Sequence, residues 1–331
     1  MGAATDNSRV PTVMAAEGPI LQRVLDATCR TVRIGLDRDA CGKFHRARLK
    51  TAWGAGHQRA FAVVDGDDIL AAAERYDLPG VLDGAAVRVC AVGSLWTGPS
   101  QPDGVHARTL IDAVLADAER DGAEMALLFP SANIADDVGR AFDAMPMTDL
   151  TLSVTESSRH GAPMTMVRGG EERDFAAMVA MGRVRADQLR FHLDRDNDFI
   201  QYVITTRRLL AGLGSAQARQ LHFFIAEEGI TAAAYVIISV VGDSWTLEEC
   251  GDRDASGARV GALLQALIAR EPVERRPIIR AWLPPGFLPP QVAVASSIPS
   301  TETIRVRLLG SRATASPLSA ADVLFWHNDL L

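Results

Sequence analysis

Cysteine, positive charge and unbroken apolar runs are all scarce in this chain, and each scarcity excludes something. Four cysteines (Cys29, Cys41, Cys90, Cys250) occur in 331 residues, and none forms a CxxC pair. That scatter argues against a zinc site or a disulfide framework and suits a reducing, cytoplasmic setting. No apolar run reaches the roughly 18 residues of a membrane span, so no membrane association is expected. The first ten residues lack a basic-then-apolar signal pattern and read as a frayed tail. Lys+Arg number 34 against 41 Asp+Glu, a formal net charge of -7. With no long basic run to offset this, a nucleic-acid partner is not expected. His45, His57, His160, His192 and His222 show no metal-ligand spacing, so no metal is expected either. What is present is apolar: 48% of the residues are hydrophobic, enough for two packed cores, and the length suggests about two domains.

The most informative stretch is Val87 to Pro130. A buried strand (Val87 to Trp96) runs into a Gly/Pro-rich turn (Gly98 to Gly104). A helix follows with Leu110, Ile111, Val114, Leu115 and Ala118 on one face. Gly122 closes it, and a second apolar strand (Met125 to Phe129) ends at Pro130. This is a βαβ-type unit. The turn before the helix is where such units bind phosphate, because unpaired N–H groups and the helix dipole both face an anion there. Acyl-CoA or nucleotide use follows as the first hypothesis.

A faint internal repeat flanks this unit. Phe61 to Tyr76 reads FAVVDGDDILAAAERY, and Phe224 to Tyr235 reads FIAEEGITAAAY. Each is a strand, an acidic-Gly turn and a second strand carrying Ala-Ala-Ala, which implies two similar α/β domains in tandem. The joint falls in the polar Thr155 to Pro163. The expected division is 1–155, a linker at 156–163, and 164–331. Before the joint, Val10–Met14 reads as a strand, and Ile20 to Val32 and Gly42 to Trp53 as helices. Ala60–Val64 and Ile69–Leu78 form a hairpin, Ala135 to Met145 a short helix and Thr148 to Val154 a strand. After it, Asp174 to Met181 and Phe199 to Leu213 read as helices. Leu221–Ile225 and Thr231–Val241 form a hairpin, Trp245 to Cys250 a strand and Val260 to Ala269 a helix. Ile278–Leu283 is a strand, and Pro284 to Pro290 a rigid exposed loop. Ile304–Leu309 is a late strand, and Ser319 to Trp326 a final helix capped by Ser319.

This order of elements resembles the GNAT acyltransferase fold, and most closely tandem-GNAT proteins: bacterial relatives of fungal lysine N-acetyltransferase and, more distantly, the enhanced-intracellular-survival acetyltransferases. SLWTGP (Ser94 to Pro99) is similar to the family's S-V-F-T-x-P strand end. HARTLI (His106 to Ile111) looks like the start of its cofactor helix, and ALLFPS (Ala126 to Ser131) resembles the following strand. AWLPPGFLPP (Ala281 to Pro290) and DVLFWHNDLL (Asp322 to Leu331) look like family segments. The resemblance implies two twisted mixed sheets flanked by helices, with acetyl-CoA or another acyl-CoA as donor at the first. The cofactor-binding residues it implies are Val92, Gly93, Ser94, Leu95, Trp96, Thr97, Gln101, Gly104, Val105, His106, Ala107, Arg108 and Asn133. The loop departs from the family's Arg/Gln-x-x-Gly-x-Gly/Ala. Gln101 and Gly104 match, but His106 stands where Gly or Ala belongs. Pro102 removes an N–H donor and Asp103 places a negative charge beside the phosphates; Arg108 can supply a compensating cation. The family's tyrosine acid is missing, and Phe142, the nearest aromatic, cannot donate a proton.

Acyl transfer to an amine needs a base, backbone donors for the thioester carbonyl, and an acid for the leaving thiolate. Glu74 is the base candidate and Tyr76, two residues on, an alternative acid or substrate contact. In some tandem-GNAT enzymes the chain terminus folds back into the first active site. That makes His327, with Trp326 and Asp329, a third catalytic candidate. Leu189 to Phe199 and Glu248 to Arg259 carry no filled EF-hand pattern and read as a helix junction and a solvated loop; the alternative for the second, with Gly257 and Gly261 flanking Arg259 at a helix start, is a relic of a phosphate loop that binds no CoA. The expected function is CoA-dependent N-acylation of a small-molecule amine. Two alternatives stay open: a degenerate GNAT-like binding module, or a GNAT-fold enzyme with another donor such as aminoacyl-tRNA. Homo-oligomerisation is left open as well.

Overall fold

The computed structural model describes residues 11–29, 36–98, 104–129, 139–155, 166–214, 219–312 and 316–330. In chain order the first elements are β1 (Thr12–Ala15), α1 (Gly18–Thr28), α2 (Arg38–Leu49), α3 (Ala52–His57), β2 (Gln58–Asp65) and β3 (Asp68–Leu82). Then come β4 (Ala85–Thr97), α4 (Val105–Arg120), β5 (Met125–Leu128), β6 (Asp143–Val154) and β7 (Met166–Gly169). Next are α5 (Phe175–Ala186), β8 (Phe191–Leu193), α6 (Asn197–Leu213), β9 (Gln220–Glu228), β10 (Thr231–Val241) and β11 (Ser244–Asp252). The last are α7 (Ala258–Ile268), β12 (Ile278–Ala281), β13 (Val292–Leu308) and β14 (Val323–Leu324).

All fourteen strands among the described residues join one mixed sheet flanked by helices. Its main path runs β1-β2-β3-β4-β5-β13-β6-β12-β11-β10-β9-β7. Read from the two edges inward, the order is the same, with one exchange in the middle. β13, from the end of the chain, lies antiparallel to β5. β6, from the first half, lies antiparallel to β12. The exchanged strands pair with each other from Val292↔Val154 to Val306↔Asp143. In both halves a helix carries the chain between parallel neighbours: α4 between β4 and β5, α7 between β11 and β12.

Local chemistry accounts for the helix boundaries around the site. Asp37 caps α2 by accepting from Ala40 N–H at 2.8 Å. Thr51 accepts from Gly54 N–H at 2.9 Å and starts α3. A Cβ on Gly54 would lie 2.2 Å from the Arg48 carbonyl oxygen, so the tight α2–α3 corner requires glycine. The Ala-Ala-Ala runs let helices approach both faces of a strand: Ala71 and Ala73 pack in the cluster under α4, Ala72 in the cluster that holds Val24 of α1. The apolar stripe of α4 (Leu110, Ile111, Val114, Leu115, Ala118) is buried as its period requires.

Five expectations need correction. The single helix over Gly42 to Trp53 is two, broken at Lys50–Thr51 by the Thr51 cap. Asp143 to Met145 belong to β6 rather than to a helix, because they pair with Ile304 to Val306. The late strand begins at Val292, not Ile304, because β6 supplies a partner for Val292 to Pro299 and, past an irregularity, for Thr303 to Val306. The Pro284–Pro290 loop is not exposed throughout: Pro284, Phe287 and Pro289 are buried, and Phe287 packs in the core with α7. Ser319 to Trp326 form no helix; Val323 and Leu324 pair with β8, while Phe325 and Trp326 enter different cores. Tertiary burial overrides helical propensity there. No described helix is long and apolar enough to cross a membrane.

Candidate active site

The strand that leads into α4 is interrupted where the cofactor residues were expected. Its pairing with β3 shifts between Ala72↔Trp96 and Glu74↔Gly93, a β-bulge, and Ser94 adopts φ 51°. Its register with β5 ends at Val92↔Leu128. Beyond that point β4 is paired with β3 alone among the described strands. The side chains of Val92, Leu95 and Trp96 are buried in the cores on either side of the sheet, so what this segment offers a ligand is backbone. Gly93 is buried and Thr97 half-buried.

Helix α4 then starts from Gly104, which takes φ 69° and provides no side-chain cap. Its first turn carries no acidic residue. Val105 and Arg108 are exposed, Ala107 is buried, and His106 has a buried Nε2 without a hydrogen-bond partner. Gln101 and Asn133 lie outside the described residues, as do Pro102 and Asp103.

Beside the bulge sits a buried polar network centred on Glu74. Ser94 Oγ donates to Glu74 Oε2 at 3.0 Å, and the Tyr76 hydroxyl donates to the same oxygen at 2.5 Å. His45 Nδ1 lies 3.1 Å from Glu74 Oε1. Arg48 Nη1 reaches Glu74 Oε2 at 3.4 Å, and its Nη2 donates to the Tyr76 hydroxyl. Tyr202, from α6, accepts from Arg48 Nε at 3.2 Å and donates to Gln58 Oε1 at 3.1 Å. Glu74 and His45 are each 8% exposed. They line a cavity of about 30 Å³ with Thr28 and Ser94 and an apolar wall from α1, α2, β2 and β3.

The charges are matched to this burial. Burial alone would push the Glu74 carboxyl up, but Arg48, then His45 and Tyr76, outweigh it and hold it well below the usual carboxylate range. Burial pushes the Tyr76 phenol well above its ordinary range, so it stays protonated and can donate to Glu74. The linkage to stability has a definite sign. The folded-state value of Glu74 lies below its ordinary 4.5, so its contribution is complete above pH 4.5 and is lost as pH falls below it. Acid unfolding monitored by circular dichroism should therefore steepen below about pH 4.5. Glu74→Gln should flatten that part of the curve; an unchanged slope would refute the assignment.

The structure thus brings Glu74, Tyr76 and Ser94 together and adds residues that the sequence reading left out: His45, Arg48, Gln58 and Tyr202. A signal existed. Cys41, Phe44, His45 and Arg48 form the buried stripe of α2, so two polar side chains share a helix face with apolar ones.

His327 is placed elsewhere. Its ring stacks on Trp282 at 4.1 Å, and its carbonyl accepts from Arg207 Nη2 at 2.8 Å. Its neighbours belong to a second buried network. Arg195 Nη1 pairs with Glu249 Oε1 at 2.6 Å, and its Nη2 pairs with Asp329. Asn328 donates to Glu249 Oε2 at 3.1 Å, and the Tyr235 hydroxyl donates to Oε1. Trp326 packs in the core of the second half.

The N-terminus of α7 differs from that of α4. Gly257 takes the same left-handed conformation, φ 69°. Here, however, the buried Asp252 carboxylate accepts from Arg259 N–H at 2.8 Å and from Asp254 N–H at 2.9 Å. Arg259 in turn pairs with Glu228 at 2.6 Å. An internal carboxylate occupies the position where an anion would sit.

Two cysteines are joined, against expectation. Cys29, at the end of α1, and Cys41, in the first half of α2, form a disulfide with Cα atoms 5.8 Å apart. Their sequence separation of 12 bridges two helices that pack side by side, which a count of spacings does not show.

No protein-family model matches the sequence, and no curated protein sequence does. Solved structures match over nearly the whole chain. A GCN5-related N-acetyltransferase from Kribbella flavida superposes with a TM-score of 0.65 at 16% identity, over 92% of this chain and 72% of that one. Eis1 from Mycobacterium abscessus gives 0.53 at 14% identity, over 90% and 73%. The fold is that of the GCN5-related N-acetyltransferases. It extends to N-myristoyltransferase from Saccharomyces cerevisiae, whose structure holds myristoyl-CoA: TM-score 0.53, 9% identity, 92% of this chain and 83% of that one.

Proposed function

We propose that this protein is a CoA-dependent N-acyltransferase for a small-molecule amine, with its active site in the first half. The observation that carries the reading is the conjunction of three features. A strand end is bulged at the point where its described register with β5 stops, the N-cap of the following helix is a glycine without a side-chain cap, and a Glu74–His45 pair faces a cavity beside them. In this reading the acyl-CoA pyrophosphate lies at the α4 N-terminus, where first-turn N–H groups without a side-chain cap from Gly104 and the helix dipole favour an anion. Backbone N–H donors at the bulge, around Gly93 and Ser94, polarise the thioester carbonyl. Glu74 accepts from His45 Nδ1, which leaves Nε2 to take the proton of the attacking ammonium. The amine nitrogen bonds to the carbonyl carbon, the C–S bond breaks with its electron pair on sulfur, and the extra proton on the acylated nitrogen passes to the leaving thiolate to give the amide and the CoA thiol. Tyr76, already donating to Glu74, serves to position the carboxylate. The mostly apolar wall of the cavity supports an acceptor that presents its amine on a narrow aliphatic neck.

The division into two GNAT-like halves belongs to the same proposal. It is supported by the mirrored strand order and by the two left-handed glycines that start α4 and α7. Asp252 at the α7 N-terminus supports a second half that binds no cofactor.

Calorimetry with acetyl-CoA tests the proposal. Wild type should bind with a Kd on the order of micromolar. Gly104→Trp, which puts a bulky side chain at a left-handed position, should abolish binding while leaving the circular dichroism unchanged. A folded wild type that binds neither acetyl-CoA nor a longer acyl-CoA would overturn the reading.

A further inference from the structure

Two cysteine sulfurs converge on the His45 imidazole at the edge of the Glu74 network. Cys29 is 8% exposed, Cys41 1% and His45 8%. One ligand atom from each lies within 4.8 Å of the others. Cys41 and His45 are four residues apart on α2, so they project from one helix face, and Cys29 meets them from the end of α1. The sulfurs are joined here, which shows that the backbone brings them together without a metal.

We propose that the reduced Cys29–Cys41 pair, with His45, forms a binding site for zinc(II). Two thiolates and an imidazole are the donor set that zinc favours, and three protein ligands leave one tetrahedral position open. A carboxylate already stands against the imidazole: Glu74 Oε1 sits 3.1 Å from His45 Nδ1. A carboxylate there fixes the ring and leaves Nε2 for the metal. The chemistry balances. A dithiol or phosphine reductant supplies two electrons, two protons complete the two thiols, and zinc displaces those protons as it binds. The site does not depend on the acyl-transfer reading. Its consequence does: a His45 that ligates zinc cannot take a proton from an amine, so metal loading would switch turnover off.

The test uses full-length protein, reduced with a phosphine under argon and stripped of metal. Zinc is titrated against a chromophoric chelator, and cobalt(II) serves as a spectroscopic stand-in. One zinc per chain should bind, and cobalt should give thiolate charge-transfer absorption. Cys41→Ser should weaken zinc binding by more than about 100-fold, and Glu74→Gln by about 10–100-fold. Oxidised protein should bind none. Reduced wild type that binds zinc no better than Cys29→Ser/Cys41→Ser would overturn the proposal, leaving a structural disulfide only. Should the cysteine variants fail to fold, the cobalt spectrum of reduced wild type decides alone: without charge-transfer bands the site does not exist. Acetyl-CoA binding, measured on the same reduced samples, separates this outcome from failure of the acyltransferase reading.

Discussion

Glu74→Gln should lower the rate of thiol release from acetyl-CoA in the presence of an amine acceptor by about 10²–10⁴-fold, with acetyl-CoA affinity unchanged. The expectation follows from what the carboxylate touches. It accepts from Ser94 and Tyr76, pairs with Arg48, and lies against His45 Nδ1. Arg48 holds it so far below the usual carboxylate range that Glu74 itself is a poor proton acceptor. Its value lies in orienting His45 and in stabilising the imidazolium that forms on proton transfer. Glutamine keeps the shape, loses the charge and can hold the wrong tautomer. His45→Ala should cost a similar factor, and the double variant little more than either single one, because the two act as a unit. Additive losses would show that they do not. The substitution also leaves Arg48 without its buried counter-charge, so rates must be taken at a temperature where the variant remains folded.

Arg195→Ala should destabilise the fold by about 3–5 kcal/mol, the largest loss expected from any single exchange outside the site. Arg195 bridges Glu249 and Asp329, whose side chains are each 1% exposed, and it lies over the Phe199 ring at 5.8 Å. Without it two buried carboxylates share a site with no counter-charge bridging them, and keep only neutral hydrogen-bond donors. The deficit, read from urea unfolding, should be larger at pH 8 than at pH 5, because protonation relieves the stranded Asp329 carboxyl. Burial already pushes the Asp329 carboxyl above its ordinary range, although Arg195 pulls it down. Glu249→Gln together with Asp329→Asn should recover part of the loss. A deficit below about 1 kcal/mol at pH 8, as for an exposed ion pair, would mean that the cluster is solvated. Because Asp329 and Asn328 anchor the last residues, chymotrypsin, which cuts after residues such as Phe325 and Trp326, should also cleave the variant there first.

Much of this architecture is legible in the amino acids. The α4 stripe, the hairpins at Asp65–Asp68 and Glu228–Thr231, and the strand Met125–Leu128 declare themselves by period and by turn residues. Their neighbours in space are also their neighbours in sequence. Glu74 and Tyr76, two apart on one strand, could be paired on the same ground. The Val292–Thr303 stretch could not: its Ser- and Pro-bearing sequence is mostly exposed, and it is a strand because β6 lies alongside. The Ser319–Trp326 segment has helical spacing, yet Phe325 and Trp326 are drawn into separate cores.

The site divides along the same line. By itself the sequence determined a strand–turn–helix suited to an anion, and a carboxylate on the strand beside it. Only the tertiary structure decided what surrounds that carboxylate. Tyr202 reaches Arg48 across 154 residues, His45 arrives from a helix whose buried face looks polar, and Cys29 meets Cys41 between helices. It also moved His327 into a network of its own. The physical reason is common to all four. Local pattern sets period and caps, whereas a buried polar contact depends on which distant segments the two cores bring together.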